Sequence, residues 1–189
     1  MKNMRVEWQK IILPCLIAVL CFTGDSFGVT KRPRISLAVT DKTERHTERT
    51  EAFNGDGDVD KTTDMETEVC TLTVKIKNGD IESQGCQLKW YFLSENLENA
   101  QEKAKTIICS SGKKNLFLMA GAAVEEEITS DPFVFTSIGS DGDGEDERSG
   151  DVCEGYIVLI TSGADVLAKK SNSSRYLKEE WIEKCRQVQ

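Results

Sequence analysis

The chain is poor in the residues on which most enzyme chemistry depends. Its 189 residues include a single histidine, His46, in the polar stretch TDKTERHTERT. A Ser-His-Asp or Cys-His site needs an imidazole that is held by packing and by a third group, and His46 has no apolar neighbours to hold it. We therefore interpret His46 as a solvent-exposed residue, which excludes the His-dependent serine and cysteine hydrolases.

Motifs for zinc and for nucleotides are missing as well. Zinc sites need several Cys and His ligands at close spacing, and the chain has no Cys-x-x-Cys and no His-x-x-x-His. No Gly-rich phosphate loop with a lysine follows any predicted strand, so nucleotide hydrolysis has no support. We predict a protein without a cofactor, a metal site or catalytic residues.

Two acidic runs, at residues 54–60 and 141–152, place oxygen ligands at alternate positions, as calcium loops do. An EF-hand loop also needs glycine at its sixth position and glutamate at its twelfth. Val59 and Met65 stand at these positions in the first run, and the second run fails in the same way. We interpret both runs as solvated turns, with weak, adventitious calcium binding as the alternative, and expect millimolar calcium to shift the melting temperature by no more than about one degree.

Basic residues are outnumbered by acidic ones. The chain has 24 Lys and Arg against 32 Asp and Glu, a formal net charge of −8 at pH 7. Without residues 1–28 the balance becomes 21 basic against 30 acidic residues. A surface this acidic repels phosphate backbones, so nucleic acid is excluded as a partner.

The chain also lacks an apolar run long enough for a transmembrane helix. Its longest, residues 11–22 (IILPCLIAVLCF), contains Pro14 and is shorter than the roughly 20 residues that cross a bilayer. Three basic residues precede this run and polar residues follow it, which is the layout of a secretory signal peptide. We predict a signal peptide at residues 1–28, cleavage after Gly28 and a mature chain that begins near Val29, rather than a permanent anchor.

Residues 29–189 are enough for one domain with a proper core and too few for two.

Lipidation of Cys21 is the alternative to cleavage after Gly28, and it is disfavoured because Leu20 is not the small residue that a lipobox requires. We therefore expect an extracytoplasmic protein, secreted or periplasmic, with no stable membrane span after cleavage.

Alternation of apolar and polar residues predicts several short strands. These strands are expected at residues 34–39, 70–76, 88–92, 105–109, 115–119, 124–128, 133–137, 156–161 and 166–170. The turn at residues 78–80 suggests that the second and third strands form a hairpin-like pair, and residues 162–165 suggest a tight hairpin turn. In the third strand Trp90 should be buried and Tyr91 should face outwards.

One helix is predicted, at residues 174–187, with Ser174 as its cap and an apolar stripe that includes Trp181 and Cys185. Residues 40–65 and 139–151 are strongly polar and are predicted to be loops. Short strands with turn signals and a single long helix favour an all-β fold, an antiparallel β-sandwich with a C-terminal α-helix, over a parallel α/β sheet.

The segments EVCTLTVKIKNGD, CQLKWYFL and EGYIVLITSGADVLAKK resemble the strand layout of bacterial immunoglobulin-like modules of the CARDB or fibronectin type III kind. In those modules a strand that ends in a polar Asn-Gly turn is followed by a strand with a Trp-Tyr-Phe cluster. The resemblance covers about residues 66–171. It implies a non-catalytic spacer or binding unit and carries over no site residues.

Five cysteines follow the predicted cleavage site, and their odd number leaves at least one thiol unpaired. In a sandwich with alternating strand directions, the strands that begin at Cys70 and near Cys153 start at the same end. Cys86 begins the intervening strand at the opposite end, and the next strand finishes beside it at Cys109. We predict disulfides Cys70–Cys153 and Cys86–Cys109 and a buried free thiol at Cys185, although one missed strand would favour other pairs.

Two classes of function remain open. The first is a non-catalytic interaction or structural module whose partner is another protein or an envelope component. The second is a small hydrolase or glycan-active protein that uses an unidentified pair of carboxylates. A carboxylate pair with a raised pKa in a cleft would favour the second class, and shallow pockets on a closed sandwich would favour the first.

Overall fold

The computed structural model describes residues 34–53, 55–57, 59–80, 82–97, 105–140 and 147–188. The predicted signal peptide, residues 1–28, lies outside these ranges. The described residues contain eight strands and one α-helix: β1 (Ile35–Phe53), β2 (Val59–Asn78), β3 (Gln84–Asn96), β4 (Thr106–Leu118), β5 (Ala123–Thr129), β6 (Phe133–Ser140), β7 (Glu147–Ser162), β8 (Asp165–Ser171) and α1 (Glu179–Gln187).

All strand pairs are antiparallel, and they form two sheets. In sheet A, β2 pairs with β1 on one side and with β5 and β6 on the other. In sheet B the order is β4, β3, β7 and β8. Strand β7 belongs to both sheets, because Gly150 pairs with Phe135 of β6 while the next residue, Asp151, pairs with Asn96 of β3. The predicted all-β sandwich is confirmed.

The main core lies between the two sheets. Alternate residues of β2, β3 and β7 point into it, as the period of two in their sequences predicts. Trp90 is partly buried and packs against this core. The buried side chains on these three strands include Leu72, Val74, Ile76, Leu88, Phe92, Val158 and Ile160.

A second apolar cluster lies on the outer face of sheet B. Tyr91 points to this face, away from the main core, but it is only 1% exposed because the C-terminal segment covers it. β3 and β7 are therefore apolar on both faces, which explains the uninterrupted runs WYFL and YIVLI. The cluster contains Tyr91, Leu93, Ile157 and Leu159 from the sheet and Tyr176, Trp181, Ile182 and Cys185 from the C-terminal segment.

The predicted C-terminal helix is present but divided. A 3₁₀ turn spans Ser174–Leu177, Lys178 is extended with φ −69° and ψ 153°, and α1 follows. Lys178, rather than the predicted Ser174, is therefore the cap of α1. Acidic residues occupy the first turn of α1 and basic residues its last turn, so both ends complement the helix dipole.

The prediction of a loop at residues 40–65 is wrong, because β1 and β2 continue through most of it as a long hairpin. The side chains of β1 from Thr40 onwards are exposed, so no apolar alternation marks this strand in the sequence. Threonine favours strands, and cross-strand ion pairs join β1 to β2, including Arg49 Nε to Asp64 Oδ1 at 2.7 Å and Arg45 Nε to Glu68 Oε1 at 2.5 Å.

The predicted loop at residues 139–151 is shorter than expected. β6 continues to Ser140 and β7 begins at Glu147, so only residues 141–146 lie between the strands, and these are outside the described ranges. β6 and β7 pair at this end, with Ile138 opposite Glu147. Backbone pairing in sheet A therefore extends into a segment whose composition suggested a loop.

Two further expectations about strand connections need correction. The turn after β2 carries the chain from sheet A to sheet B, so β2 and β3 are not a hairpin pair. The buried Asn78 holds this turn, since its Nδ2 donates to the carbonyl oxygens of Glu82 at 2.8 Å and Leu118 at 3.2 Å. The strands predicted at 105–109 and 115–119 form one continuous strand, β4. The tight turn at 162–165 is confirmed, with Ser162 opposite Asp165.

Candidate functional site

The predicted pair Cys70 and Cys153 is joined by a disulfide. Cys70 lies on β2 in sheet A and Cys153 on β7 in sheet B, so the bond connects the two sheets. The backbone amides beside it also have partners: the amide of Cys70 donates to Ser130 Oγ at 3.0 Å, and that of Cys153 donates to Glu68 Oε2 at 3.2 Å. These contacts indicate a structural disulfide in a well-connected part of the sandwich.

The predicted bridge between Cys86 and Cys109 is not formed, and both thiols are free. β4 is one long strand, so Cys109 lies near its start and faces the far end of β3. The Cys109 thiol donates to the carbonyl oxygen of Phe92 at 3.2 Å. Phe92 is six positions beyond Cys86 along β3, a separation of about 20 Å in an extended strand. The pairing prediction failed because β4 was divided into two strands.

Cys185 lies on α1, carries a free thiol and is fully buried in the apolar cluster between α1 and sheet B. Burial raises the pKa of this thiol to about 12, so it is protonated at neutral pH. Its position in the apolar stripe agrees with the predicted buried free thiol.

The three free thiols among the described residues should differ in their reaction with iodoacetamide because they differ in exposure, since desolvation raises the pKa of all three. We expect Cys109, the exposed one, to be alkylated in the native protein, and Cys86 and Cys185 to be alkylated only after unfolding. Peptide mapping by mass spectrometry before and after denaturation measures this order. Alkylation of native Cys185 at a rate similar to that of Cys109 would contradict the docking of α1 on sheet B.

A polar cluster lies where the 3₁₀ turn meets β3 and β7. Arg175 Nη2 donates to Glu154 Oε1 and to the hydroxyl oxygen of Tyr176, and the Tyr176 hydroxyl lies 3.1 Å from Glu154 Oε1. The carboxyl of Glu95 is within hydrogen-bonding reach of Glu154. Desolvation first, and then this hydrogen bond and the charge of Glu154, raise the pKa of Glu95, while Arg175 acts in the opposite direction. The cluster ties the C-terminal segment to sheet B.

The raised pKa of Glu95 predicts a pH-dependent contribution to stability. The folded state holds its proton more tightly than the unfolded state, so this contribution is present below the usual pKa of 4.5 and is lost as pH rises through the folded value. We expect Glu95→Gln to be more stable than the original chain at pH 7, by less than about 1 kcal/mol because the cluster is near solvent, and equally stable near pH 4. Urea unfolding at both pH values measures this, with Glu127→Gln on β5 as the control. A constant difference at both pH values would contradict it.

Two shallow clefts meet on the outer face of sheet B, beside the C-terminal end of α1. Each has a volume of about 420 Å³, within the usual range of ligand pockets. Thr161 and Gly163 line both clefts and connect them. We call the combined depression the outer groove and define it by Gln87, Lys89, Asn115, Thr161, Gly163 and Arg186.

Polar residues line the outer groove together with apolar ones such as Leu116 and Leu159. Gln87 Nε2 donates to Asn115 Oδ1 at 2.9 Å across β3 and β4. Lys89 is directly opposite Lys113 in the same strand pair. Arg186, at the α1 end, is balanced by ion pairs with Glu179 and Glu183. The lining of the groove therefore includes two amides, one lysine and one arginine on the surface of an acidic protein.

Sequence reasoning found none of the groove residues. The alternation in CQLKWYFL places Gln87 and Lys89 on the outer face, but nothing in the sequence reveals which residues of β4 lie opposite them. The one histidine, His46, is exposed on β1, as interpreted from the sequence. Among the described residues no group of three or more His, Cys, Asp and Glu side chains is arranged to hold a metal ion.

In the part of the chain that the structure describes, no helix has the length and the apolar character needed to cross a membrane. No protein-family model matches the chain, and no curated protein matches it. Comparison with known proteins therefore assigns no family.

Several solved structures have a low similarity to this chain. β-Glucuronidase 2 of Bacteroides uniformis, covalently bound to cyclophellitol-6-carboxylate aziridine, matches at 11% identity and a TM-score of 0.26. The match covers 61% of this chain but only 14% of the β-glucuronidase chain. The structural genomics target SoR45 matches at 14% identity and a TM-score of 0.28, over 76% of this chain and 91% of that one. Spo0M, a sporulation control protein of Bacillus subtilis, matches at 11% identity and a TM-score of 0.25, over 78% and 96% of the two chains. Similarities this low support no statement about function.

Proposed function

We propose that the protein is a non-catalytic interaction module of an extracytoplasmic compartment, secreted or periplasmic, of the immunoglobulin-like CARDB or fibronectin type III kind. Its partner is another protein or an envelope component. The observation that carries the proposal is the outer groove, where two connected clefts lined by both polar and apolar side chains lie on one face of the sandwich.

The proposed extracytoplasmic location rests on the first residues of the chain and on the disulfide. The basic, apolar and polar order of residues 1–28 is typical of a signal peptide. The bond between Cys70 and Cys153 is the kind of crosslink that persists in oxidising compartments. Amino-terminal sequencing of the exported form should find a chain that begins near Val29.

The rival function, a small carboxylate hydrolase, has one observation in its favour, the raised pKa of Glu95. Glycosidase chemistry needs two carboxyl groups roughly 5 to 10 Å apart, on either side of a substrate. Glu95 and Glu154 are instead in hydrogen-bonding contact, and Glu154 is occupied by Arg175 and Tyr176. Neither carboxylate lines the outer groove. The arrangement supports a structural clamp more than a catalytic pair.

Site-specific photo-crosslinking in the native host tests whether the outer groove contacts a partner. We place it at Asn115 in the outer groove and, as a control, at Lys77 on the outer face of sheet A, which is also exposed. We expect a light-dependent adduct at Asn115 and none at Lys77, unchanged in the Glu154→Gln variant. Equal adducts at both positions, or none at Asn115, would contradict the proposal. Hydrolysis of a glycan substrate that is lost in Glu154→Gln would establish the rival function.

A further inference from the structure

We infer that the protein forms a homodimer in which β1 pairs with β1 of a second copy, so that the two copies of sheet A become one continuous sheet. The two strands are antiparallel and are related by a two-fold axis at Arg45. This self-association goes beyond the proposed function and uses neither cleft of the outer groove, so either proposal can fail without the other. Three features carry it: a long unpaired edge, a self-complementary order of charges and an exposed aromatic ring at the end of the strand.

β1 is an edge strand of sheet A. In the described part of the chain it pairs with β2 alone, through 19 residues from Ile35 to Phe53. An edge strand presents a row of backbone N–H and C=O groups with which another chain can pair. Most strands have about five or six residues, so this row is unusually long. From Thr40 onwards every side chain of β1 is exposed, so a second copy would add backbone hydrogen bonds where packing contributes little.

The charges along β1 are arranged so that they match an antiparallel copy of the same strand. With the axis at Arg45, Lys42 faces Glu48 of the second copy, and Asp41 faces Arg49. Opposite charges at directly opposed positions stabilise a strand pair. Two-fold symmetry makes each of these contacts occur twice. The pattern therefore fits a second copy of this chain as the partner.

The residues nearest the axis are compatible with the same register. Glu44 faces His46 of the second copy, whose ring nitrogen can donate a hydrogen bond to the carboxylate. Arg45 faces the Arg45 of the second copy, but Glu68 balances its charge within each chain, with Arg45 Nε 2.5 Å from Glu68 Oε1. The one contact between like charges in this register is therefore neutralised by carboxylates that are already in place.

The dimer does not require unbalanced charges on β1. Lys42 Nζ lies 2.6 Å from Glu44 Oε1, and Arg49 pairs with Asp64. A carboxylate has two oxygens and can accept from several donors, so these ion pairs remain while the second copy adds to them. Charges that form a network contribute more than isolated surface pairs. The second copy would extend the existing pairs into such a network.

Charged side chains on an edge strand often prevent association between copies. That effect requires like charges to meet when the two strands align. Moving the axis by one residue, to His46, would place Glu44 opposite Glu48 twice. The charges of β1 therefore select the register centred on Arg45 and oppose the neighbouring one.

Phe53 adds an apolar contact at each end of the paired strands. It is 62% exposed, and the register places it opposite Leu37 of the second copy. Leu37 is partly buried and packs against the main core. Ala38 and Ala52 are opposed in the adjacent position. Pairing would remove part of this apolar surface from water, which favours association.

Sedimentation velocity of the mature chain measures the association. We expect a dimer that dissociates more readily as salt is raised. Lys42→Glu and Glu48→Lys each place two pairs of like charges in the interface, and we expect each variant alone to dimerise at least about tenfold more weakly. Lys77→Glu is the matched control, because it makes the same charge change at an exposed position on β2, and it should dimerise like the original chain.

A mixture of the two β1 variants tests the register. In a mixed dimer the two changed positions face each other with opposite charges, and the unchanged Lys42 faces the unchanged Glu48. We expect mixing to restore dimerisation to within a few-fold of the original. Positions 42 and 48 are about 20 Å apart within one strand, so contact within a chain does not explain a rescue. Far-UV circular dichroism checks that each variant keeps the sheet.

Three results would overturn the inference. The first is an original chain that stays monomeric at its highest soluble concentration. The second is a Lys42→Glu variant that dimerises as well as Lys77→Glu, and the third is a mixture of the β1 variants that is not rescued. The crosslink at Asn115 is read separately, so none of these results decides the interaction module.

Discussion

Replacing Trp181 with alanine is expected to lower the free energy of unfolding by about 3–5 kcal/mol, the usual cost of deleting a large buried aromatic side chain. Trp181 is 9% exposed and belongs to the apolar cluster between α1 and sheet B. Its ring makes an edge-to-face contact with Tyr176, with ring centroids 5.1 Å apart, and Lys184 Nζ lies 4.0 Å from its centroid. Alanine removes both of these contacts and leaves a cavity in the cluster.

Urea unfolding followed by far-UV circular dichroism measures this loss without depending on tryptophan fluorescence. Val188→Ala is the control, because Val188 follows α1 and is 51% exposed, so its replacement should change stability by less than about 0.5 kcal/mol. Trp181→Phe should retain part of the packing, so its free energy of unfolding should lie between those of Trp181→Ala and Val188→Ala. A Trp181→Ala variant as stable as Val188→Ala would mean that α1 is not docked on sheet B.

The paired faces of the core strands were predictable because burial leaves a period of two in the sequence. Leu72, Val74 and Ile76 alternate with polar residues since only one face of β2 is covered. The C-terminal stripe was predictable for a similar reason, because Trp181 and Cys185 recur at helical spacing. In both cases a single buried face selects the apolar positions.

The hairpin of β1 and β2 was not predictable in the same way. Beyond Thr40 the side chains of β1 are exposed on both faces, so the strand carries no apolar pattern that distinguishes it from a loop. It is held by backbone pairing and by pairs such as Arg49 with Asp64, which become visible only when the register is known. A polar sequence can therefore form a strand wherever an adjacent strand provides backbone groups with which it can form hydrogen bonds.

The outer groove was missed for a related physical reason. Gln87, Asn115, Lys89 and Lys113 are ordinary polar residues, and 28 or 24 positions separate the members of each pair along the chain. What makes them a candidate site is the register of β3 against β4, and the sequence splits β4 into two apparent strands. The failed pairing of Cys86 with Cys109 has the same origin. The same error in the length of one strand misplaced the disulfide and concealed the register that brings the groove residues together.

The second large effect is expected at Gly150, where β7 crosses from sheet A to sheet B. Its φ of +111° lies in a region that L side chains rarely adopt, and a Cβ added there would be 2.3 Å from the carbonyl oxygen of Val134 and 3.0 Å from Cα of Phe135. Backbone atoms in paired strands cannot move aside without breaking the hydrogen bonds between β6 and β7. We expect Gly150→Ala to cost about 2–4 kcal/mol, from the strained φ together with the overpacking.

Gly163→Ala separates these two causes, because Gly163 also has a positive φ, +58°, but has nothing within 4 Å of the added Cβ. Its replacement should cost about 1 kcal/mol from backbone strain alone. The excess loss in Gly150→Ala then measures the close approach of β6 to β7 at the crossing, and equilibrium unfolding in urea gives both values. Equal losses in the two variants would mean that β6 does not pack against β7 at Gly150. The path of β7 from one sheet to the other would then differ from the one described, and so would the position of Cys153 relative to Cys70.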